Sequence, residues 1–317
     1  MRRKLLAIFG ALLVGGYLAA GYVRSNQWIG SHPQWRTLKA TPSEYGLRAE
    51  VVSFRSEDGI ELKAWWLPEQ NGNEVRPGTG TTRRPNVILA HGREDNRSGM
   101  LPRAKFLVGA GFNVLDVDLR NHGESGGNYV TPGYLEALDL LGAVDYLRTR
   151  GERAAIGVLG FSYGAVAGLH AAARSNEIRA VVADSAFLSN ADLRSRVARS
   201  SAVSWTSRVR AWLGRLPLLD PISDLIFRLR TGINISGDEK DSLTAIDGMQ
   251  SRPIFFISGE RDWIAPPENA RRMYQQARSP RKELMIVPGA GHNETHSAGP
   301  AEYEWRVVDF FAANLKE

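Results

Sequence analysis

Gly160-Phe161-Ser162-Tyr163-Gly164 follows the apolar run AAIGVL and precedes the small-residue run AVAGLHAAA. Strand, tight turn and helix in that order are the setting in which G-x-S-x-G presents a serine hydroxyl at a strained corner. Glycines on either side of the serine remove side chains that would strike neighbouring backbone. The helix that follows aims its positive dipole end at the hydroxyl. A hydroxyl is a weak nucleophile at neutral pH, so Ser162 requires a base, and the base requires an orienting carboxylate. His292, in Pro288-Gly-Ala-Gly-His292-Asn-Glu, fits the first need, and Asp262, in Ser258-Gly-Glu-Arg-Asp262-Trp, fits the second. Glu260 and Asp184 are the rival acids. Acyl transfer also needs donors for a developing oxyanion. The backbone N–H groups of Tyr163 and of Arg93, in the turn His91-Gly92-Arg93, are the expected pair, with Gly92 as the alternative to Arg93. Each such donor contributes ~3–4 kcal/mol to the transition state.

These residues need a scaffold that gathers them. Short apolar runs recur at 87–90, 112–117, 155–159, 180–183, 253–257 and 284–287, separated by helical patterns at 100–110, 134–150, 163–175, 267–278 and 301–314. Uninterrupted apolar strands alternating with helices indicate a parallel sheet covered on both faces. In such a sheet Ser162, Asp262 and His292 all follow strand ends at one edge. Ahead of it, 51–55 and 61–67 flank Glu57-Asp58-Gly59, which reads as a hairpin. Residues 70–85 read as an exposed loop. The stretch from 185 to 252 is too long for one crossover. Its Trp205, Trp212, Leu216, Leu218, Ile226 and Leu229 suggest helices lying over the sheet edge as a cap, with Phe187, Trp205 and Trp212 as candidate acyl-pocket residues.

The other histidines read as structural. His170 lies inside the helix after Ser162, His32 in the connector, His91 beneath its turn and His122 in a hydrogen-bonded loop. His296 stands four residues beyond His292, but HNETH is not H-E-x-x-H and the preceding glycines favour a loop, so no metal site is expected. With no cysteine in the chain, disulfides, Cys-bound zinc and thiol nucleophiles are excluded. The net charge of +6 has no clustered aromatic-basic pattern beside it, so nucleic acid is not an expected partner. Residues 185–230 carry eight arginines against three acids, which suits a solvated helical face or a surface near anionic lipid headgroups.

The amino end is a separate unit. Leu5–Val23 contains no charged residue, and a helix of that length reaches ~29 Å, close to the hydrocarbon thickness of a bilayer. Arg2, Arg3 and Lys4 before it favour a cytoplasmic amino terminus and an extracytoplasmic remainder. Signal cleavage near Ala19-Ala20-Gly21, with secretion of the remainder, is the alternative, although the apolar run is longer than a usual signal peptide. The organisation read from these features is an anchor or signal over 1–24, a connector over 25–50, and one domain over 51–317 with the cap at about 186–250.

HGRED, DLRNHGESGG, GFSYG, SGERDWIAPP and GAGHNE together resemble the alpha/beta-hydrolase superfamily over most of residues 50–315, and the order Ser162, Asp262, His292 is that family's order. The nearest likeness is to small serine hydrolases with one amino-terminal anchor, of esterase, thioesterase or serine-aminopeptidase type. The resemblance implies an eight-stranded, mostly parallel sheet, no cofactor, and hydrolysis of ester or thioester bonds in a small or lipid-like acyl substrate. Amide hydrolysis is the alternative, which the basic cap disfavours for an aminopeptidase. A non-catalytic binding module on the same fold would be expected to have lost part of the triad. Arg93 departs from the family's usual small or amide residue, and a cation there would alter access or favour anionic acyl groups.

Overall fold

A computed structural model describes residues 2–26, 28–30, 32–70, 84–199, 218–237 and 241–316. Its frame is one eight-stranded sheet in the spatial order β1-β2-β4-β3-β5-β6-β7-β8. The strands are β1 (Glu50–Arg55), β2 (Glu61–Leu67), β3 (Asn86–Ala90), β4 (Asn113–Val117), β5 (Ile156–Phe161), β6 (Ile178–Asp184), β7 (Ile254–Gly259) and β8 (Lys282–Val287). β1 and β2 form the expected hairpin, with Glu50 opposite Trp66 and Arg55 opposite Glu61. β2 joins β4 antiparallel, and every remaining pairing is parallel.

Because strand side chains alternate between faces, each parallel strand serves two cores. Ile88 and Ala90 of β3 face one, while Val87 and Leu89 face the other. The first core is closed by α3 (Glu136–Thr149), α4 (Tyr163–Arg174), α7 (Ser242–Gly248) and α8 (Pro267–Gln276), the second by α2 (Leu101–Gly109) and α9 (Pro300–Asn314). α4 is assembled from small residues, and at Gly168 a Cβ would already sit 3.0 Å from Val158. That closeness lets the helix lie directly on the sheet and fixes where its first residue falls.

α5 (Asn190–Arg199) and α6 (Leu219–Thr231) fall in the stretch expected to form a cap, and Arg194 of α5 pairs with Asp224 of α6 at 2.6 Å. Trp205, Trp212 and Leu216 fall outside the described residues. α1 (Arg2–Ser25) is the described helix long and apolar enough to cross a membrane. Most of it stands clear of the body: Ile8, Phe9, Leu12, Leu13, Val14 and Leu18 are exposed. Its last turns dock on α6, where a Cβ at Gly21 would meet Ile222 at 2.6 Å. Arg24 pairs there with Asp220 at 2.6 Å, and the Arg230 guanidinium lies over the Tyr22 ring at 4.7 Å.

After α1 the chain runs back across the body. Ile29 forms a bridge with Tyr129, and Val130 N–H donates to the Trp28 carbonyl at 2.8 Å. Trp28 and Trp35 are both buried. The Asn96 side-chain amide donates to the carbonyls of Trp35 and Thr37, fastening this strap to the loop after β3.

Candidate active site

Ser162 sits at the corner between β5 and α4 with φ +52°, a left-handed backbone that a non-glycine residue adopts only under constraint. The glycines explain how the corner closes. A Cβ at Gly160 would lie 2.1 Å from the Gly164 carbonyl oxygen, and one at Gly164 would lie 2.1 Å from that of Ala90. The Ser162 N–H donates to the Asp184 carbonyl at 2.8 Å, so the sheet ladder continues to the serine itself.

Asp262 and His292 arrive on neighbouring loops after β7 and β8. Those loops are joined by main chain: Glu260 N–H donates to Val287, and Arg261 N–H donates to Ala290 at 2.8 Å. Gly259 permits the approach, since a Cβ there would lie 2.4 Å from the Ala290 carbonyl oxygen. Asp262 is buried, and its Oδ1 accepts from the N–H groups of Ile264 and Ala265 at 2.9 and 2.8 Å. That leaves Oδ2 for His292 Nδ1 at 2.7 Å, while His292 Nε2 lies 3.0 Å from Ser162 Oγ. With a carboxylate facing Nδ1, the proton belongs on that nitrogen, and Nε2 is left to accept from the serine. The three expected side chains thus form one continuous hydrogen-bonded chain across the sheet edge.

The rival acids have other partners. Glu260 turns back to accept from Gly289 N–H at 2.8 Å. Asp184 is fully buried and accepts from Arg103 at 3.1 Å, Thr295 at 2.8 Å and Tyr303 at 2.9 Å. Burial works against the Arg103 charge, but Tyr303 and Asp184 outweigh it and hold the guanidinium protonated. Thr295 lies three residues beyond His292, so this buried pair braces the histidine loop from below.

The turn after β3 abuts the serine. A Cβ at Gly92 would sit 3.4 Å from Ser162 Cβ, which brings Arg93 beside the corner from one side while Tyr163 leaves it on the other. His91 is buried beneath this turn, where its Nε2 accepts from Leu119 N–H at 3.0 Å. His122 is buried too, with Nδ1 donating to the Arg120 carbonyl at 2.9 Å. Burial first, then the charges of His91 and Arg93, hold its pKa well below the usual range, so it stays neutral. His170 is buried in α4 against Tyr134. His296 belongs to a single helical turn, Thr295–Ala298, rather than to the loop expected from its glycines. Its Nε2 is paired with Glu304 at 2.9 Å, and its ring packs edge-on against Tyr303.

Sequence reasoning missed the strap. Trp28 and Trp35 flank the Arg93 guanidinium at 4.8 and 5.4 Å, and Trp28 stacks on the Tyr163 ring with centroids 6.4 Å apart. The available signal was two tryptophans in a segment otherwise read as linker, since so large an apolar side chain is seldom left wholly in water. Phe187, expected near an acyl pocket, is buried with its ring 5.5 Å from that of Tyr163.

The sheet order, the serine corner and the covered faces define an alpha/beta hydrolase. The chain belongs to that family, whose match covers residues 87–304. Over 317 residues it is 28% identical to YqkD of Bacillus subtilis, covering 97% of each chain. It is 26% identical to YfhR of Escherichia coli strain K12, covering 84% of this chain and 82% of that one. Among solved structures it is similar to the Pyrococcus furiosus esterase Pf2001, at 27% identity with TM-score 0.70, covering 91% of this chain and 99% of that one.

Proposed function

We propose that this hydrolase cleaves carboxylic ester or thioester bonds through an acyl-enzyme on Ser162. Support comes above all from the unbroken chain Ser162–His292–Asp262, at 3.0 and 2.7 Å. His292 Nε2 takes the Ser162 proton as Oγ attacks the carbonyl carbon. Negative charge moves to the carbonyl oxygen, which the N–H groups of Tyr163 and Arg93 receive. The carbon–oxygen or carbon–sulfur bond then breaks, and His292 returns the proton to the leaving alcohol or thiol. A water, deprotonated by the same nitrogen, releases the acid and restores Ser162. Asp262 fixes the imidazole tautomer and offsets its charge while it is protonated. The similar Pyrococcus furiosus protein Pf2001 is an esterase, which agrees with this chemistry.

The reading extends to location. α1 serves as a membrane anchor that holds the hydrolase domain over 51–317 at the extracytoplasmic face. Its exposed apolar side chains and its length support this assignment. Fluorophosphonate labelling of the full chain, beside Ser162→Ala, tests the chemistry. Labelling of the parent and none of the variant is the expected result, and an unlabelled parent defeats the reading. Carbonate extraction of membranes tests the anchor, which predicts that the protein stays in the pellet.

A further inference from the structure

We propose that Arg194, Tyr163 and Arg93 form a subsite for a negatively charged oxygen group, carboxylate or phosphate, carried by the acyl substrate of Ser162. The proposal rests on the serine-esterase reading and adds a substrate class to it. The Trp28 ring is the hub. The Arg93 guanidinium lies 4.8 Å from its centroid, that of Arg194 5.6 Å, and the Tyr163 ring 6.4 Å. Two of these residues are tied to the proposed nucleophile: Tyr163 follows Ser162 in the chain, and Arg93 follows Gly92, where an added Cβ would lie 3.4 Å from that of Ser162.

The hydrogen-bonding inventory sets the chemistry. The Arg194 side chain is 7% exposed, and its Nη1 is held by Asp224 at 2.6 Å. Its Nε and Nη2, the Tyr163 hydroxyl and the Trp28 indole N–H are buried and have no partner among the described residues. A buried donor without an acceptor costs about 1–3 kcal/mol, so several around one ring do not serve stability. They suit a ligand that brings acceptors only. The carboxylates nearby are already engaged: Glu136 accepts from Thr131 and Gly133, Glu94 lies 3.7 Å from Arg93, and Asp220, 3.7 Å from Arg194 Nη1, is held by Arg24 at 2.6 Å. Burial pushes the Tyr163 hydroxyl up to about 12 despite both arginines, so it remains a neutral donor. Two guanidinium groups select an anion over a neutral carbonyl, because each forms charge-assisted bonds with planar oxygen pairs.

The test uses full-length protein in neutral detergent and two matched substrate pairs. One compares mono(4-nitrophenyl) adipate with 4-nitrophenyl hexanoate, and the other compares a monoacylglycerol phosphate with its monoacylglycerol. The expected result is a preference in kcat/KM of about tenfold or more for the anionic member of at least one pair. The preferred pair identifies carboxylate or phosphate as the source. That preference collapses in Arg194→Gln, is partly kept in Arg194→Lys, and weakens with added salt. Should Arg194→Gln fail to fold, inhibition of the parent by hexyl phosphate and by adipate, against hexanol, gives the same discrimination. Turnover of neutral esters with no anionic preference and no anion inhibition overturns the subsite alone. No turnover of any ester, with no fluorophosphonate labelling, overturns the esterase reading and the subsite with it.

Discussion

Two walls meet at Ser162, and they are built by different means. The sheet-edge wall is main chain: the Ser162 N–H extends the β5–β6 ladder, and the Asp262 and His292 loops are laced to each other by backbone hydrogen bonds. The opposite wall is side chain. There, Trp28 and Trp35 hold the guanidinium of Arg93 by ring faces, and Arg194 of α5 reaches the Trp28 ring. Backbone lacing fixes positions to a fraction of an ångström, as proton transfer demands. Ring and cation packing is less directional and tolerates variation, which suits a surface that selects among substrates. On the proposed reading, chemistry falls on the rigid wall and selection on the adaptable one.

Removing the reacting group from the rigid wall has the largest expected effect. Ser162→Ala should lower kcat for a nitrophenyl ester by about 10⁴-fold or more, with melting temperature close to the parent. Next, Asp262→Asn and Asp184→Asn split the two roles of carboxylates at this edge. Asp262→Asn should cost about 10⁴-fold in kcat through the wrong imidazole tautomer. Asp184→Asn should act on stability, because it leaves Arg103 charged and buried, at a cost of about 3–5 kcal/mol. At roughly 2–4 °C per kcal/mol, calorimetry should show a fall of about 10 °C. Equal losses of activity by the two variants at matched folded fraction would erase the distinction.

The adaptable wall should respond more mildly in rate and more in substrate choice. Trp28→Ala removes a buried indole, expected to cost about 3–5 kcal/mol. Its kcat on a neutral short-chain ester should fall far less than in Asp262→Asn. The smallest effect is acid sensitivity at His122, which stacks on Trp35 with centroids 5.0 Å apart. Its folded-state pKa is depressed, so below about pH 6.5 the unfolded chain binds a proton that the fold refuses. Stability from this residue is therefore complete above pH 6.5 and falls by about 1.4 kcal/mol per pH unit below it. The fall in melting temperature between about pH 6.5 and 5.5 should be several degrees smaller in His122→Gln than in the parent.

The rigid wall was legible because its geometry is written in short-range pattern. Glycine spacing around Ser162 and apolar runs before Asp262 and His292 place all three at strand ends without knowledge of the tertiary fold. Strand starts were read less well for a physical reason. β6 begins at Ile178 and β8 at Lys282, earlier than their apolar runs, because Arg179 points to solvent and Lys282 donates to the carbonyls of Tyr274 and Ala277. A rule that demands unbroken hydrophobicity trims such residues. The adaptable wall has no motif at all. Trp28, Arg93 and Arg194 are far apart in sequence, and although Arg93 stands out beside the oxyanion turn, no spacing joins it to the other two. Only the packing of the strap against the turn after β3 and against α5 brings them together.

The short leash between Ser25, where α1 ends, and Trp28 has a practical corollary. Three residues span at most about 10 Å even when fully stretched, so the strap that begins at Trp28 stays close to wherever that helix is lodged. A version of the hydrolase clipped for solubility should begin upstream of Trp28, since a cut after the strap would carry away both tryptophans that flank Arg93.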